Sequence, residues 1–183
     1  QLKNVLDNLP LDKLEEIINV LMKAYQDEKT IYVMGNGGSA ANASHIVNDI
    51  SKGTVNEGKK RIRIVSLCDN IPLILAYAND CGYENIFVEQ LKNLLQEGDV
   101  VIAISGSGNS PNILKAVEYA TSIKAITIGL TGYDGGKLNK TADISLIVPS
   151  FSMQRVEDVH LIIGHIFMCY FNSVYGTSCS YKC

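Results

Sequence analysis

Between residues 11 and 25 the apolar positions Leu14, Ile17, Ile18, Leu21, Met22 and Tyr25 return at intervals of three and four, which predicts an amphipathic helix just past the breaker Pro10. Leu2, Val5, Leu6 and Leu9 predict a shorter helical arm before it. The period then changes. Runs rich in β-branched residues at 30–34, 62–67, 100–104 and 125–130, with a fifth at 144–148, read as strands. Helical spacing fills the gaps at 39–50, at 71–95 with a break near Cys81-Gly82, and at 110–119. A last long helix covers 153–170, with Val156, Val159, Ile163, Phe167 and Tyr170 on one stripe. Strands alternating with helices predict the α/β class, a parallel sheet between two helical layers, and the near-continuous apolarity of the strands predicts burial on both faces. Residues 173–183 mix small and polar types without a period and are expected to be a loosely held end.

Composition narrows the picture. Of 183 residues, 46% are hydrophobic and only 19% charged, which suits one compact domain and leaves a thin charged surface, so buried subunit interfaces are expected. The 16 Lys+Arg against 19 Asp+Glu give a net charge of -3, and apart from Lys59-Lys60-Arg61 and Arg63 the basic residues are scattered, which argues against nucleic acid as a ligand. Five cysteines without a C-x-x-C pair leave an odd one in any disulfide scheme, so a reduced, cytosolic setting is expected. No run approaches the roughly eighteen apolar residues of a membrane span, and residues 1–20 lack the apolar core of a signal peptide.

Two loops carry the first chemical signal. Met34-Gly35-Asn36-Gly37-Gly38-Ser39-Ala40-Ala41-Asn42 and Ile104-Ser105-Gly106-Ser107-Gly108-Asn109-Ser110-Pro111-Asn112 each follow an expected strand and open an expected helix. At such a place free backbone N–H groups and the positive helix end favour an anion, and three serine hydroxyls can donate to it. Ser110 is expected as N-cap and Pro111 as the first helical residue. A plain turn and cap explains either loop alone as well as phosphate binding does; two at neighbouring strand ends point to an anionic ligand. Neither loop has the G-x-G-x-x-G or G-x-x-x-x-G-K-[ST] spacing of a nucleotide site. Asn36, Asn79 and Asp80 sit at strand or helix ends and suit reading sugar hydroxyls, although Asn79-Asp80 before Cys81-Gly82 is on spacing alone better explained as a helix terminus.

Three histidines complete the inventory. His45 and Asp49 are four apart on one helix, and Glu157 and His165 are eight apart on another, so together they offer two imidazoles and two carboxylates, a set that suits zinc or a similar borderline cation. His160 competes as a partner of Glu157. On spacing alone the plain alternative is the stronger one, a surface His/Asp pair and two histidines in a packed helix.

The quoted loops, together with Ala43-Ser44-His45, Asn79-Asp80, Leu130-Thr131-Gly132-Tyr133-Asp134-Gly135-Gly136, Arg155-Val156-Glu157 and His165, resemble the phosphoheptose isomerases, enzymes of the sugar isomerase (SIS) domain, in the same order from about Leu11 to Tyr170. The resemblance implies a flavodoxin-like three-layer sandwich with a five-stranded parallel sheet flanked by helices, as a single SIS domain: arm 1–28, α/β core 29–150, C-terminal helix 152–172 and tail 173–183. It implies a cytoplasmic homotetramer with sites between subunits, without nucleic-acid or membrane partners, that converts sedoheptulose 7-phosphate to D-glycero-D-manno-heptose 7-phosphate through a metal-assisted enediol. By motif position Ser105, Gly106, Ser107 and Ser110 would hold phosphate; Asn36, Gly37, Gly38, Ser39, Asn79 and Asp80 would line the sugar. His45, Asp49, Glu157 and His165 would hold one zinc ion, with Asp49, Glu157 and His165 catalytic and Asp49 and Glu157 also touching substrate. The family usually has Glu at the place of Asp49, Gln at that of Glu157 and Thr at that of Gly106. The rival reading is a non-catalytic SIS module that binds a phosphosugar or docks a protein.

Overall fold

The computed structural model describes residues 1–177. Two helices, α1 (Leu2–Asp7) and α2 (Leu11–Gln26), precede β1 (Thr30–Gly35), α3 (Gly38–Gly53) and β2 (Arg63–Ser66). The segment expected as 71–95 is divided where it was expected to break: α4 (Ile71–Cys81) ends at Gly82, whose φ of 89° favours glycine, and α5 (Val88–Leu94) follows a short 3-10 turn. Then come β3 (Val100–Ser105), α6 (Pro111–Ser122), β4 (Ile126–Thr131), α7 (Leu138–Thr141), β5 (Ile144–Ile147) and α8 (Met153–Tyr175). The single-turn α7 is too short to leave a periodic signal.

All strand pairs are parallel, in the order β2-β1-β3-β4-β5. Alternate side chains enter two separate cores. Ile31, Val33, Ile102, Ile104, Ile128 and Leu130 pack with the buried faces of α2, α3 and α8, whereas Tyr32, Met34, Val101 and Ala103 pack with α5, α6 and Leu138 of α7. This is the expected three-layer sandwich, and burial on both faces is why the strands read as unbroken apolar runs. The arm joins the first core through Val5 and Leu9.

Two expectations need correction. The end segment is held farther than its composition suggested: α8 continues to Tyr175, the Asn172 amide donates to the Gly53 carbonyl at 3.0 Å, and the Thr177 hydroxyl donates there at 3.1 Å. The remainder of that segment, 178–183, lies outside the described residues. Cys68 and Cys81 are free thiols but Cys169 is disulfide-bonded, which departs from a wholly reduced chain. Among the described residues no helix is long and apolar enough to cross a membrane.

Candidate active site

In a parallel sheet the strand order reverses where two neighbouring connections leave in opposite directions, here between β1 and β3, and the crevice beyond their carboxyl ends is the natural ligand site. Gly35 and Ile104 are in register, so the two loops noted in the sequence leave the sheet side by side. Between them lies a cleft of about 320 Å³ lined by residues 36–39, 104–107 and 110, closed on the α8 side by Met153 and Glu157.

The lining of the cleft carries four serine residues, Ser39, Ser105, Ser107 and Ser110. Ser110 occupies the N-cap position of α6 but makes no side-chain cap; its Oγ stands 3.3 Å from Ser105 Oγ, leaving both hydroxyls capacity for a ligand. α3 has no side-chain cap, which leaves the Gly38 and Ser39 N–H groups to an anion, whereas α6 opens on Pro111, which has no N–H, and its Ile113 N–H is taken by the Ser110 carbonyl and Asn112 Oδ1. Gly37, with φ of 54°, turns the chain into α3. The serine loop is braced from the end of β4 and the start of α7: the Gly132 N–H donates to the Gly106 carbonyl at 2.9 Å, Leu138 N–H to the Gly108 carbonyl at 2.9 Å, and Lys137 N–H to Asn109 Oδ1 at 3.1 Å.

Asn36 is locked by a residue that sequence reasoning passed over. Its Nδ2 donates to Asn112 Oδ1 at 2.9 Å, Asn112 Nδ2 returns a bond to Asn36 Oδ1 at 2.8 Å, and the Tyr83 hydroxyl donates to the same Oδ1 at 2.9 Å. Asn112 is 1% exposed, on the face of α6 that carries Ile113 and Ala116. A polar residue on a core-facing helical position was the available signal. Asn112→Leu removes both of its bonds to Asn36 and leaves Asn36 Nδ2 without a partner; we expect a loss of about 1–3 kcal/mol in urea unfolding, with weaker ligand binding because Asn36 is then held by Tyr83 alone.

The histidines meet at a second place along the same helices. His45 Nε2 and His165 Nε2 are 3.2 Å apart, and Asp49 Oδ2 lies 3.1 Å from the first and 3.3 Å from the second. The three groups are the cluster of potential metal donors found among the described residues. A tetrahedral zinc with bonds of about 2.0–2.1 Å sets its ligand atoms roughly 3.3 Å apart, so these spacings fit three corners of such a site. The plain surface-pair reading of His45 and Asp49 is therefore incomplete, because His165 joins them from α8. Glu157 is not a member of this cluster. Its carboxylate lies against the Gly38 Cα at the start of α3, where a side chain at 38 would collide with it, and Asn42 Nδ2 donates to its backbone carbonyl at 3.0 Å. Asn79 and Asp80 stand apart from the cleft, exposed near the end of α4, with Asn79 Nδ2 donating to Asp80 Oδ1 at 2.7 Å. His160 belongs to neither place: it is fully buried, its Nε2 lies 3.1 Å from the Thr131 carbonyl, and its Nδ1 has no partner.

Residues 2–132 match the family described as SIS domain. The phosphoheptose isomerase of Sulfurimonas denitrificans is 39% identical over 85% of this chain and 80% of its own length, and that of Helicobacter pylori is 37% identical over 85% and 80%. The chain belongs to the phosphoheptose isomerase branch of the SIS-domain family. The solved structure of the Neisseria gonorrhoeae phosphoheptose isomerase superposes with a TM-score of 0.87 at 28% identity, covering 94% of this chain and 91% of that one. An agreement of this extent takes in α8, which lies outside the matched SIS segment and carries Glu157 and His165. In family terms, the cleft at the β1/β3 reversal is assembled from the SIS segment on one side and α8 on the other.

Proposed function

We propose that the protein is an aldose/ketose isomerase of phosphosugars that converts sedoheptulose 7-phosphate to D-glycero-D-manno-heptose 7-phosphate, the whole chain 1–183 serving as one SIS domain. One observation carries the reading: α3 and α8 each contribute to the anion cleft at one level, through Gly38, Ser39 and Glu157, and to the imidazole–carboxylate cluster farther along, through His45, Asp49 and His165. A phosphate-anchored chain leaving the cleft between these helices is led past Glu157 toward the cluster.

The chemistry follows from the placement. Ser105, Ser107 and Ser110 hydroxyls and the open start of α3 hold the phosphate, and Asn36, fixed by Asn112, orients a sugar hydroxyl. Ketose-to-aldose conversion moves one proton from C1 to C2 and one from the C1 oxygen to the C2 oxygen. A carboxylate makes the carbon transfer. Asp49 and Glu157 both qualify, and Glu157, outside the donor cluster, is the free base: it removes the C1 proton, and the enediol takes that proton back at C2. His165 carries the oxygen proton, so both groups end as they began. His45, Asp49 and His165 would hold zinc, and zinc bound there would supply Lewis-acid polarisation of the carbonyl.

The same reading supports a homotetramer with sites at subunit contacts. None of the eleven residues of α4 is buried although the helix is apolar, with Ile71 55% and Leu75 62% exposed. A neighbouring subunit covering α4 would also bring Asn79 and Asp80 to a site. The free thiols of Cys68 and Cys81 support a cytoplasmic location, and the Cys169 disulfide argues against it.

The test is an NMR assay with sedoheptulose 7-phosphate, with added zinc and after chelation. Metal-dependent growth of aldose anomeric signals is expected. Folded, zinc-loaded protein that binds the substrate without turning it over would establish the non-catalytic module instead.

A further inference from the structure

Gly106 stands in the middle of the serine loop, yet its backbone does not call for glycine: it is not among the positive-φ residues, unlike Gly108 at 64°. What a side chain there would displace is the end of Met153. A Cβ on Gly106 would run into the Met153 Sδ, with the methyl carbon next nearest. Met153 opens α8 and lines the cleft, one helical turn before Glu157. Apart from Ile104, which is fully buried, it is the one large apolar side chain of that lining; every other member is Asn, Ser, Gly or Glu.

We propose that Met153 is a specificity-determining residue, a thioether wall beside the phosphate cradle that admits the CH2 of a primary phosphate ester and crowds out the branched carbon of a secondary one, and that Gly106 is glycine to seat it. A thioether offers dispersion contact to a methylene but no useful hydrogen bond to a hydroxymethyl branch at the same place. The wall sits between the serines that take the phosphate and the carboxylate of Glu157, where the ester carbon of a bound ligand must pass. The two positions therefore act as one steric unit: filling 106 pushes the thioether into the cleft, and truncating 153 opens the cleft and frees space above 106. The inference rests on the proposed phosphosugar cleft but not on turnover.

Its test is calorimetric binding of glycerol 3-phosphate, a primary ester, and glycerol 2-phosphate, a secondary one, to the full chain and its variants, with inorganic phosphate as the reference anion. The unaltered protein is expected to favour the primary ester by about tenfold, the scale on which one carbon group in a packed site discriminates. Met153→Ala should bring the two esters to within about threefold while phosphate affinity is kept, since only the lost contact separates them. Gly106→Ala should weaken both esters and phosphate by about tenfold or more, because the displaced thioether then intrudes into the cleft. Gly106→Ala/Met153→Ala should regain phosphate binding and lack the preference. If Gly106→Ala fails to fold while the double variant folds, the coupling stands. Additive losses in the double variant, a preference that survives Met153→Ala, or no preference in the unaltered protein overturns the proposal. Loss of phosphate binding altogether in the unaltered protein overturns the cleft reading too, whereas binding with preference but no isomerisation leaves this inference standing and removes the enzymatic one.

Discussion

Asp49→Asn and His165→Ala should each lower isomerase turnover by about 10²–10⁴-fold, and together by little more than the worse of the two, because both remove the same assembled unit. His45 Nε2, Asp49 Oδ2 and His165 Nε2 lie within 3.3 Å of one another, so the loss of any one leaves two donors where a tetrahedral ion needs at least three from the protein. Zinc measured by mass spectrometry should fall from stoichiometric to trace in each of His45→Ala, Asp49→Asn and His165→Ala. Thermal stability supplies a readout that does not depend on catalysis. At free zinc a hundredfold above its dissociation constant the unaltered protein should gain about 2.7 kcal/mol over the chelated form, and the variants should gain none. Glu157→Gln should behave differently: Glu157 belongs to the cleft, so zinc retention with slowed turnover is expected. Wild-type turnover in both Asp49→Asn and His165→Ala would remove the cluster from the mechanism.

Much of this arrangement is legible in the sequence, for reasons particular to its elements. The strands show as β-branched runs because each is covered on both faces, and the two Gly/Ser/Asn loops stand out because an anion site at a sheet's reversal point is made of local chain. The metal donors are half legible. His45 and Asp49 are about 6 Å apart along α3 and only 40° apart around it, so their pairing follows from spacing. Glu157 and His165 are about 12 Å apart along α8 and some 80° apart around it, a separation that lets one helix serve two places, cleft and cluster. Spacing alone made them a pair. Asn112 and Met153 were passed over because each acts through a tertiary neighbour, Asn36 and Gly106, more than 40 positions distant in sequence. Asn79 and Asp80 show the limit of a motif taken from a family resemblance: the residues are present, and the fold of one chain leaves them outside the cleft.

His160 gives the second large effect, and it is one of stability with pH. Burial away from any carboxylate contact holds its imidazole down to about 4 from an ordinary 6.5, opposed only by the Thr131 carbonyl. The folded protein therefore keeps the ring neutral, with Nε2–H donated to Thr131 and Nδ1 an unpartnered acceptor. An unfolded chain takes up its proton near pH 6.5, the folded chain only near 4, so between these values the unfolded state binds more protons and stability falls as pH falls. The loss reaches about 3 kcal/mol once both states are protonated, against no penalty above pH 7. Urea unfolding at pH 7.5 and pH 4.5 measures it. His160→Gln cannot titrate and retains a donor for the Thr131 carbonyl, so its stability should drop less between the two pH values, by about 2–3 kcal/mol, than that of the unaltered protein. Equal drops would mean that the ring is already solvated or protonated in the fold. The place of the ring gives the effect a functional reach. Thr131 precedes Gly132, whose N–H holds the Gly106 carbonyl, so charging His160 beneath the end of β4, which the folded chain does only near pH 4, loosens the brace of the phosphate loop, and phosphate affinity should fall as the pH passes about 4 in the unaltered protein and not in His160→Gln.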